Sequence, residues 1–553
     1  MKKITFLIIL SLISLHLFGQ EQKQIEIINA NFIRTTAELG PNIKVLVGQV
    51  ALHHDSTTMY CDSALYNTAE KKIDAFGDVE VQRLHNWDTI YLFGDTLHYN
   101  GNTKIAKVRN NVELLQDTTV LTTDFLDYDL NTKVGTYHNG GRIISGQDTL
   151  MSKNGYFYSN TKDAFFKTDV KIFSSKAKIF TDTLKHNIDS RISYLLGPSE
   201  IYSDSTYIYA EFGRYDYNEN KAYISRRSRI VSGEHSIEAD SLFYDRDKGF
   251  GLGFNNVMIV DTIQNMILKG NYGEFYEKAQ LSMMTDSAVF MEIDGLDTLW
   301  MHSDTLLSYI DTLFDDVDTL EFRMVFAYNH VKLYKKDLQL KCDSLVYSQL
   351  DSLLMLFGEP ILWSDQNQLN AQFIELYMSN NNPKEMFMFD SAYIAEEVDT
   401  GQFNVIKSNF VHIWFKHQNV DKVQVTGNVD ANYFLIDDAD NTTIGLGVLH
   451  CDSMNIFLDS SKINLLVPFN KPTGKIYPPN DIPAGEESID GFVWFNEYRP
   501  LDKDDIFIWK REKDITPTLD SVDTVKVEDN IGENVEDNKV NPDSNQETPE
   551  DED

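Results

Sequence analysis

Apolar and polar residues alternate with a period of two along most of the chain, as in Lys44-Val-Leu-Val-Gly-Gln-Val-Ala-Leu52 and Ile105-Ala-Lys-Val-Arg-Asn-Asn-Val-Glu-Leu-Leu115. That spacing puts one side chain in two on a common face, as a half-buried strand requires. β-Branched and aromatic residues are abundant, prolines are few before Pro468, and the breaks fall at Asn, Asp and Gly, where tight turns need them. No convincing amphipathic helix interrupts the pattern between Ile25 and Leu465. The pattern predicts an all-β chain of about two dozen strands, two to each repeat unit.

The strands come in repeats. Val50, Val79, Val112, Val170, Val257, Val289, Val331 and Val429 recur at about thirty residues or multiples of it, most of them closing a Gly/Asn-x-Val phrase. Between them lies a second phrase, seen in Cys61-Asp-Ser-Ala-Leu-Tyr66, Gly94-Asp-Thr-Leu-His-Tyr99, Ala239-Asp-Ser-Leu-Phe-Tyr244 and Cys342-Asp-Ser-Leu-Val-Tyr347. Turns follow several of these, as Asn67 to Lys71, Asn100 to Lys104 and Asp245 to Lys248. Strands need neighbours to satisfy their backbone groups, so successive units are expected to stack in register with the two phrases on opposite limbs. The stack would leave one open edge at each end, and the repeats are expected over 25–465 as one elongated body.

The ends of the chain read differently. Residues 1–19 have the layout of a secretory signal, with Lys2 and Lys3 before an apolar run from Phe6 to Leu15. That run is short for a bilayer span, and no cysteine stands where a lipid anchor would attach. An exported, soluble protein is the expectation. After Leu465, the prolines 468, 472, 478, 479 and 483 and the aromatic stretches Gly491–Pro500 and Asp505–Trp509 suggest that 466–511 caps the last edge. Residues 512–553 are acidic, polar and free of aromatics, the composition of a disordered, solvating tail. With 85 Asp and Glu against 49 Lys and Arg, the net charge of −36 argues against nucleic acid as a partner.

The candidate chemistry is sparse. Cys61, Cys342 and Cys451 open the same Cys-Asp-Ser phrase, so they should stand many layers apart, beyond disulfide reach, as small buried residues. His53 and His54, beside Asp55, should point to opposite faces of a strand, as should His412 and His417. The run from Asp311 to Glu321, with Asp315, Asp316 and Asp318, lacks the glycine and spacing of a calcium loop and reads as a solvated insertion. No nucleophile elbow, phosphate loop or zinc-protease motif is present, so no catalytic, cofactor or metal residue is assigned. Tyr66, Tyr99, Tyr128, Tyr158, Tyr217, Tyr244, Tyr276 and Tyr347 fall at corresponding repeat positions, either packed in the core or marking the rim of an interior open on one side.

The phrase order, small-Asp-x-Leu-x-Tyr/Phe, turn, apolar pair and Gly/Asn-x-Val, resembles the OstA-like repeat of lipopolysaccharide-transport proteins such as LptA, LptC and the periplasmic part of LptD. It is clearest in Ile43 to Leu115 and in Ile237 to Val289. The resemblance implies an elongated OstA/LptA-like β-jellyroll of stacked, bent antiparallel strands that shelters lipid acyl chains in an apolar groove. It further implies a non-enzymatic role in outer-membrane assembly, in the periplasm, with association with the outer membrane as a finer expectation. The partners implied are lipopolysaccharide or a related lipid, other OstA-like proteins paired edge to edge, and an outer-membrane transport barrel. The chain departs from the small bridge proteins in its length and in its ending from Gly491 to Trp509, and looks like the long form seen in Bacteroidetes-type bacteria. An exported parallel β-helix enzyme acting on polysaccharide and a surface adhesin are the alternatives, the first requiring one repeat decorated unlike its neighbours.

Overall fold

The computed structural model describes residues 24–510, apart from 36–37, 86–87, 264, 295–296, 315–318, 380–381, 437–441 and 460–461. The signal segment 1–19, the tail 512–553 and Asp315, Asp316 and Asp318 lie outside the described residues. Within them, 38 strands join in one sheet order, and the pairings are antiparallel from the first to the last. A parallel β-helix is therefore overturned. Ten of the rungs are split into two strands at a sharp corner, as in Val134–Tyr137 with Gly141–Ser145, so the 38 strands make 28 rungs.

Each rung is bent in its middle. On Ile43–His54 the ladder jumps from Val47 paired with Ser63 to Val50 paired with Cys61, with Gly48 and Gln49 bulged between. Both bulged residues are left-handed, at φ +80° and +48°, and the device returns at Gly77-Asp78, Asn110-Asn111, Asn255-Asn256, Asp390-Ser391 and Gly427-Asn428. Two residues opposite one, a single residue in excess, fold the strand at that point. Left-handed backbone costs a side-chain-bearing residue about 1–2 kcal/mol, least for Asn and Asp, which explains the phrase Gly/Asn-x-Val. The acid of the second phrase sits against this corner, where a Cβ on Gly77 would fall on the Asp62 side chain and Asn111 Nδ2 donates to Asp95 Oδ2 at 2.9 Å.

The corner divides each rung into a valine limb and a tyrosine limb, and the core lies between them. Leu46, Val50, Leu97, Val108, Leu114, Leu121 and Leu126 have 0 % exposure. One buried apolar cluster runs without a break from Ile25 to Ile456. The recurring valines are all buried, but Val289 is on the other face: after the corner at Asp286-Ser287, Ala288 takes the inward place. A shift of one residue also moves two tyrosines. Tyr66, Tyr99, Tyr128, Tyr217 and Tyr244 are buried, whereas Tyr276 and Tyr158 face outward and their neighbours Phe275 and Phe157 fill the inward slots.

The turns of the tyrosine limb are near copies of each other. Asn100 Oδ1 accepts from the main-chain N–H of Asn102 and Thr103, Asp129 Oδ1 from Asn131 and Thr132, and Asp216 Oδ1 from Asn218 and Glu219. Each closes on a left-handed residue, and Lys104, Lys133, Lys162 and Arg191 follow one another at 29-residue steps. Two rungs and their turns are thus the unit behind the period of about thirty.

The last rung is Lys462–Phe469 with Thr473–Tyr477, so the ladder passes Leu465 and runs through Pro468 and Pro472. Proline is tolerated on a terminal strand, which is why those prolines did not end the repeats. The chain from Pro478 to Lys510 then turns back. Instead of lying over the last edge, it runs as a strap along the outer face of the valine limb. Ile482 packs with Phe434, Leu446 and Val448, Ile489 with Tyr393 and Val405, and Ile506 with Val289 and Met291.

Candidate functional site

The inward faces of the two limbs change character from corner to tip. Near the corner they are aliphatic; near the tips buried polar residues appear, among them His54, Gln116, Asp148, Ser159, Ser193, Ser232 and Asp261. The tips therefore meet along a polar seam that runs beside the apolar interior. Three of the inward tyrosines, Tyr99, Tyr128 and Tyr244, reach this seam and spend their hydroxyls there. Tyr99 Oη lies 2.7 Å from His54 Nδ1 on the opposite limb, Tyr128 Oη 3.1 Å from Ser159 Oγ, and Tyr244 Oη donates to Glu277 Oε2 at 3.0 Å. Tyr99, Tyr128 and Tyr244 are packed in the core with their hydroxyls at the seam, where the limbs are closed on each other. Burial pushes the Tyr99 and Tyr244 hydroxyls well above the usual tyrosine range, so they stay protonated donors.

Ion pairs close the seam. Lys104 Nζ meets Asp55 Oδ2 at 2.5 Å, Lys162 Nζ meets Asp117 Oδ2 at 2.8 Å, and Arg191 grips Asp148 through Nε and Nη2 at 2.8 and 2.9 Å. Arg246 pairs with Asp204, and Arg323 Nη2 meets Asp261 Oδ2 at 2.7 Å. In each case the base belongs to the tyrosine limb and the acid to the end of the valine limb three rungs earlier, the same diagonal each time. The acids of the first four pairs range from nearly buried to open, with Asp117 and Asp204 at 60 % and 86 % side-chain exposure. Such solvent-reached pairs add about 0.2–1 kcal/mol each. Arg323 and Asp261 differ, at 11 % and 3 %, with Ser308 Oγ accepting a further bond from Arg323 Nη1 at 2.9 Å. Removing one partner of a pair so buried costs about 3–5 kcal/mol.

His53 and His54 divide between faces as the strand alternation requires, His53 against Thr58 and His54 inward. Asp55 occupies the turn and holds Lys104. His412 is on the outer face, bonded to Glu385 Oε2 at 3.0 Å, while His417 sits in a hairpin turn at φ +51°, where strand alternation no longer applies. Among the described residues, Asp311 to Phe314 and Thr319 to Glu321 belong to two paired strands, so that part of the expected loop is a hairpin. Cys61, Cys342 and Cys451 are free and buried, and burial raises all three thiols, Cys61 to about 11. The described residues contain no group of three or more His, Cys, Asp and Glu side chains able to hold a metal ion, and no helix long and apolar enough to cross a membrane.

Sequence reasoning passed over the seam pairs. Part of their signal was present in Lys104, Lys162 and Arg191 at the ends of tyrosine-limb turns, but the acids that the five bases meet stand 42 to 62 residues earlier in the chain. Only the stacking brings them together.

Residues 22–182, which contain the first three of these pairs in full or in part, match the family profile described as OstA-like protein. Over that stretch the chain is similar to the OstA-like family. No curated protein matches the chain. Twenty-seven solved chains do. One is the crystal structure described as LptH, the LptA homologous periplasmic component of the conserved lipopolysaccharide transport device from Pseudomonas aeruginosa, at 12 % identity over 23 % of this chain and 83 % of that one, with a TM-score of 0.19. The geometry of bulged corner, Asx-closed turn and inward tyrosine seen within residues 22–182 continues beyond residue 182, at Asn255-Asn256 and Tyr244 among other places.

Proposed function

We propose that this OstA-like chain is a non-enzymatic periplasmic carrier that shelters the acyl chains of lipopolysaccharide or a related lipid between its two limbs on the way to the outer membrane. The observation that carries the reading is the unbroken apolar interior from Ile25 to Ile456, bordered on one side by a seam of polar contacts. An acyl chain leaving water gains about 0.8 kcal/mol per methylene, so a continuous apolar lane needs no energy source to hold it.

The limbs as they stand are closed on each other, with side chains filling the space between. Acyl chains would therefore enter by parting the limbs, exchanging contacts between side chains for contacts with the lipid. Apolar surface stays covered in that exchange, and the cost falls on the seam.

The terminal rungs, Glu26–Asn29 with Phe32–Thr35 and Lys462–Phe469 with Thr473–Tyr477, present strand edges to which a second OstA-like domain could add a strand. The test is site-specific photocrosslinking to newly made lipopolysaccharide from inward positions 99, 128, 244 and 374, together with tracking that lipid between the membranes after depletion of the protein. Label at every inward position and arrest of the lipid short of the outer membrane are expected. Label at one end alone, or normal delivery without the protein, refutes the reading.

A further inference from the structure

Two features divide the molecule along its length at nearly the same place. Each seam pair from Asp55–Lys104 to Asp204–Arg246 has at least one partner with 34 % or more side-chain exposure, whereas the next, Asp261–Arg323, is buried on both sides and shared with Ser308. The strap begins where that buried pair stands. Its far end packs Ile506 on Val289 and Met291, and Lys332 donates to Ile508 O at 2.5 Å.

From there to the last rung the strap ties successive rungs of the valine limb, once between side chains and otherwise through limb side chains that donate to its carbonyls. Arg499 binds Gln339 Oε1 at 2.8 and 2.6 Å, Gln368 donates to Val493 O at 2.9 Å, Lys407 to Asp490 O at 2.9 Å and Asn432 to Glu486 O at 2.7 Å. A limb tied in this way across its outer face moves as one piece. The valine limb before residue 261 carries no such strap among the described residues.

Resting on the carrier reading, we propose that the limbs part first, to admit an amphiphile, along the seam between residues 55 and 246, and that Lys104, Lys162 and Arg191 then exchange their aspartates for the anionic headgroup of the entering amphiphile. The chemistry favours an anion. When the limbs separate, each base loses a carboxylate at 2.5–2.9 Å while remaining beside apolar surface, and a phosphate on the lipid restores the charge-assisted bond at the position where its chains go in. Arg191, already bidentate to Asp148, has the fork that suits a phosphate. A neutral amphiphile with the same chain would leave three cations unpaired. The net negative charge of the protein does not oppose this, because the groups that matter lie within hydrogen-bonding distance and distant charges are screened.

The experiment uses the full chain and displacement of a fluorescent fatty acid. Hexadecyl phosphate should displace it at least tenfold better than hexadecanol, and inorganic phosphate should not displace it at all. In the K104Q/K162Q/R191Q variant the two amphiphiles should become equal while hexadecanol is unchanged. A reducible bis-maleimide bridge across D55C/K104C or D117C/K162C should stop uptake, with recovery on reduction, whereas a bridge across D261C/R323C should leave uptake intact.

Equal displacement by both amphiphiles in the wild type, or competition by inorganic phosphate, overturns the headgroup role. Uptake blocked by the bridge at 261/323, or unaffected by the bridges at 55/104 and 117/162, overturns the placement of the opening. Wild-type protein that takes up neither the fatty acid nor either amphiphile refutes the carrier reading itself, and with it this one. Recovery on reduction separates a blocked seam from a misfolded variant.

Discussion

Gln368 has no exposed surface, and its carboxamide serves the strap on both sides: Nε2 donates to Val493 O at 2.9 Å and Oε1 accepts from Phe495 N at 2.8 Å. Replacing it by alanine removes both partners and opens a small void beneath the strap. A net hydrogen bond is worth about 1 kcal/mol, and a buried group left without one costs about 1–3 kcal/mol. Val493 is half exposed, so water can reach part of the site, and the loss should come to about 2–4 kcal/mol.

That loss falls on the strap and not on the ladder, because the rung carrying Gln368 keeps its main-chain pairing with Trp363 and Ala395. Hydrogen exchange followed by mass spectrometry is the assay. Amides between Asp490 and Ile508 should exchange roughly 30- to 1000-fold faster in Gln368→Ala, while amides of Ile43–Gln116 keep their protection. Trp363, with 0 % exposure, and Trp494, packed against Phe403, should report the same loosening through their emission. Unchanged protection over the strap, or a uniform loss over the whole ladder, would show that the strap is not an independently held element.

Three other outcomes are expected. His186, buried against Ser193 and Tyr217, is held neutral with its pKa lowered to about 4 by burial and then by Arg191, so its contribution to stability is complete above pH 6.5 and is lost as pH falls from there toward 4, up to about 3 kcal/mol. Urea midpoints at pH 7 and pH 4.5 should converge in His186→Gln relative to the wild type. Gly155 faces the Tyr137 ring so closely that a Cβ would fall on it, and Gly155→Ala should lower stability by about 1–3 kcal/mol in chemical denaturation, partly restored by Tyr137→Leu. The three cysteines, buried with raised thiols, should not react with a thiol reagent in the native protein and should all react in denaturant.

The carrier reading and the packed interior are compatible on energetic grounds. The four outer pairs of the seam together hold the limbs with about 1–4 kcal/mol, no more than about five methylenes of an entering chain return. The buried Arg323–Asp261 pair and the strap raise that cost for the remaining rungs, which is why the two halves are expected to behave differently.

Much of this was legible in the sequence by itself, because a stack of identical units forces each position to meet the same surroundings again and again. The period-two alternation, the left-handed corner written as Gly/Asn-x-Val, the Asx-closed turns and the buried cysteines all follow from interactions within a rung or between neighbouring rungs, and these repeat every 29 residues or so.

What the tertiary structure decided depends on contacts that skip rungs or on a shift of one residue. Alternation has only two phases, so setting the corner Asp286-Ser287 one residue earlier relative to the valine than at Gly48-Gln49 was enough to send Val289 outward and let Ala288 in. The seam pairs needed the three-rung diagonal set by the stacking of the limbs, which no local pattern encodes. The strap needed the outer face of a limb whose apolar residues come from strands more than a hundred residues apart, so its prolines and aromatics could announce the end of the ladder but not the direction in which the chain would leave it.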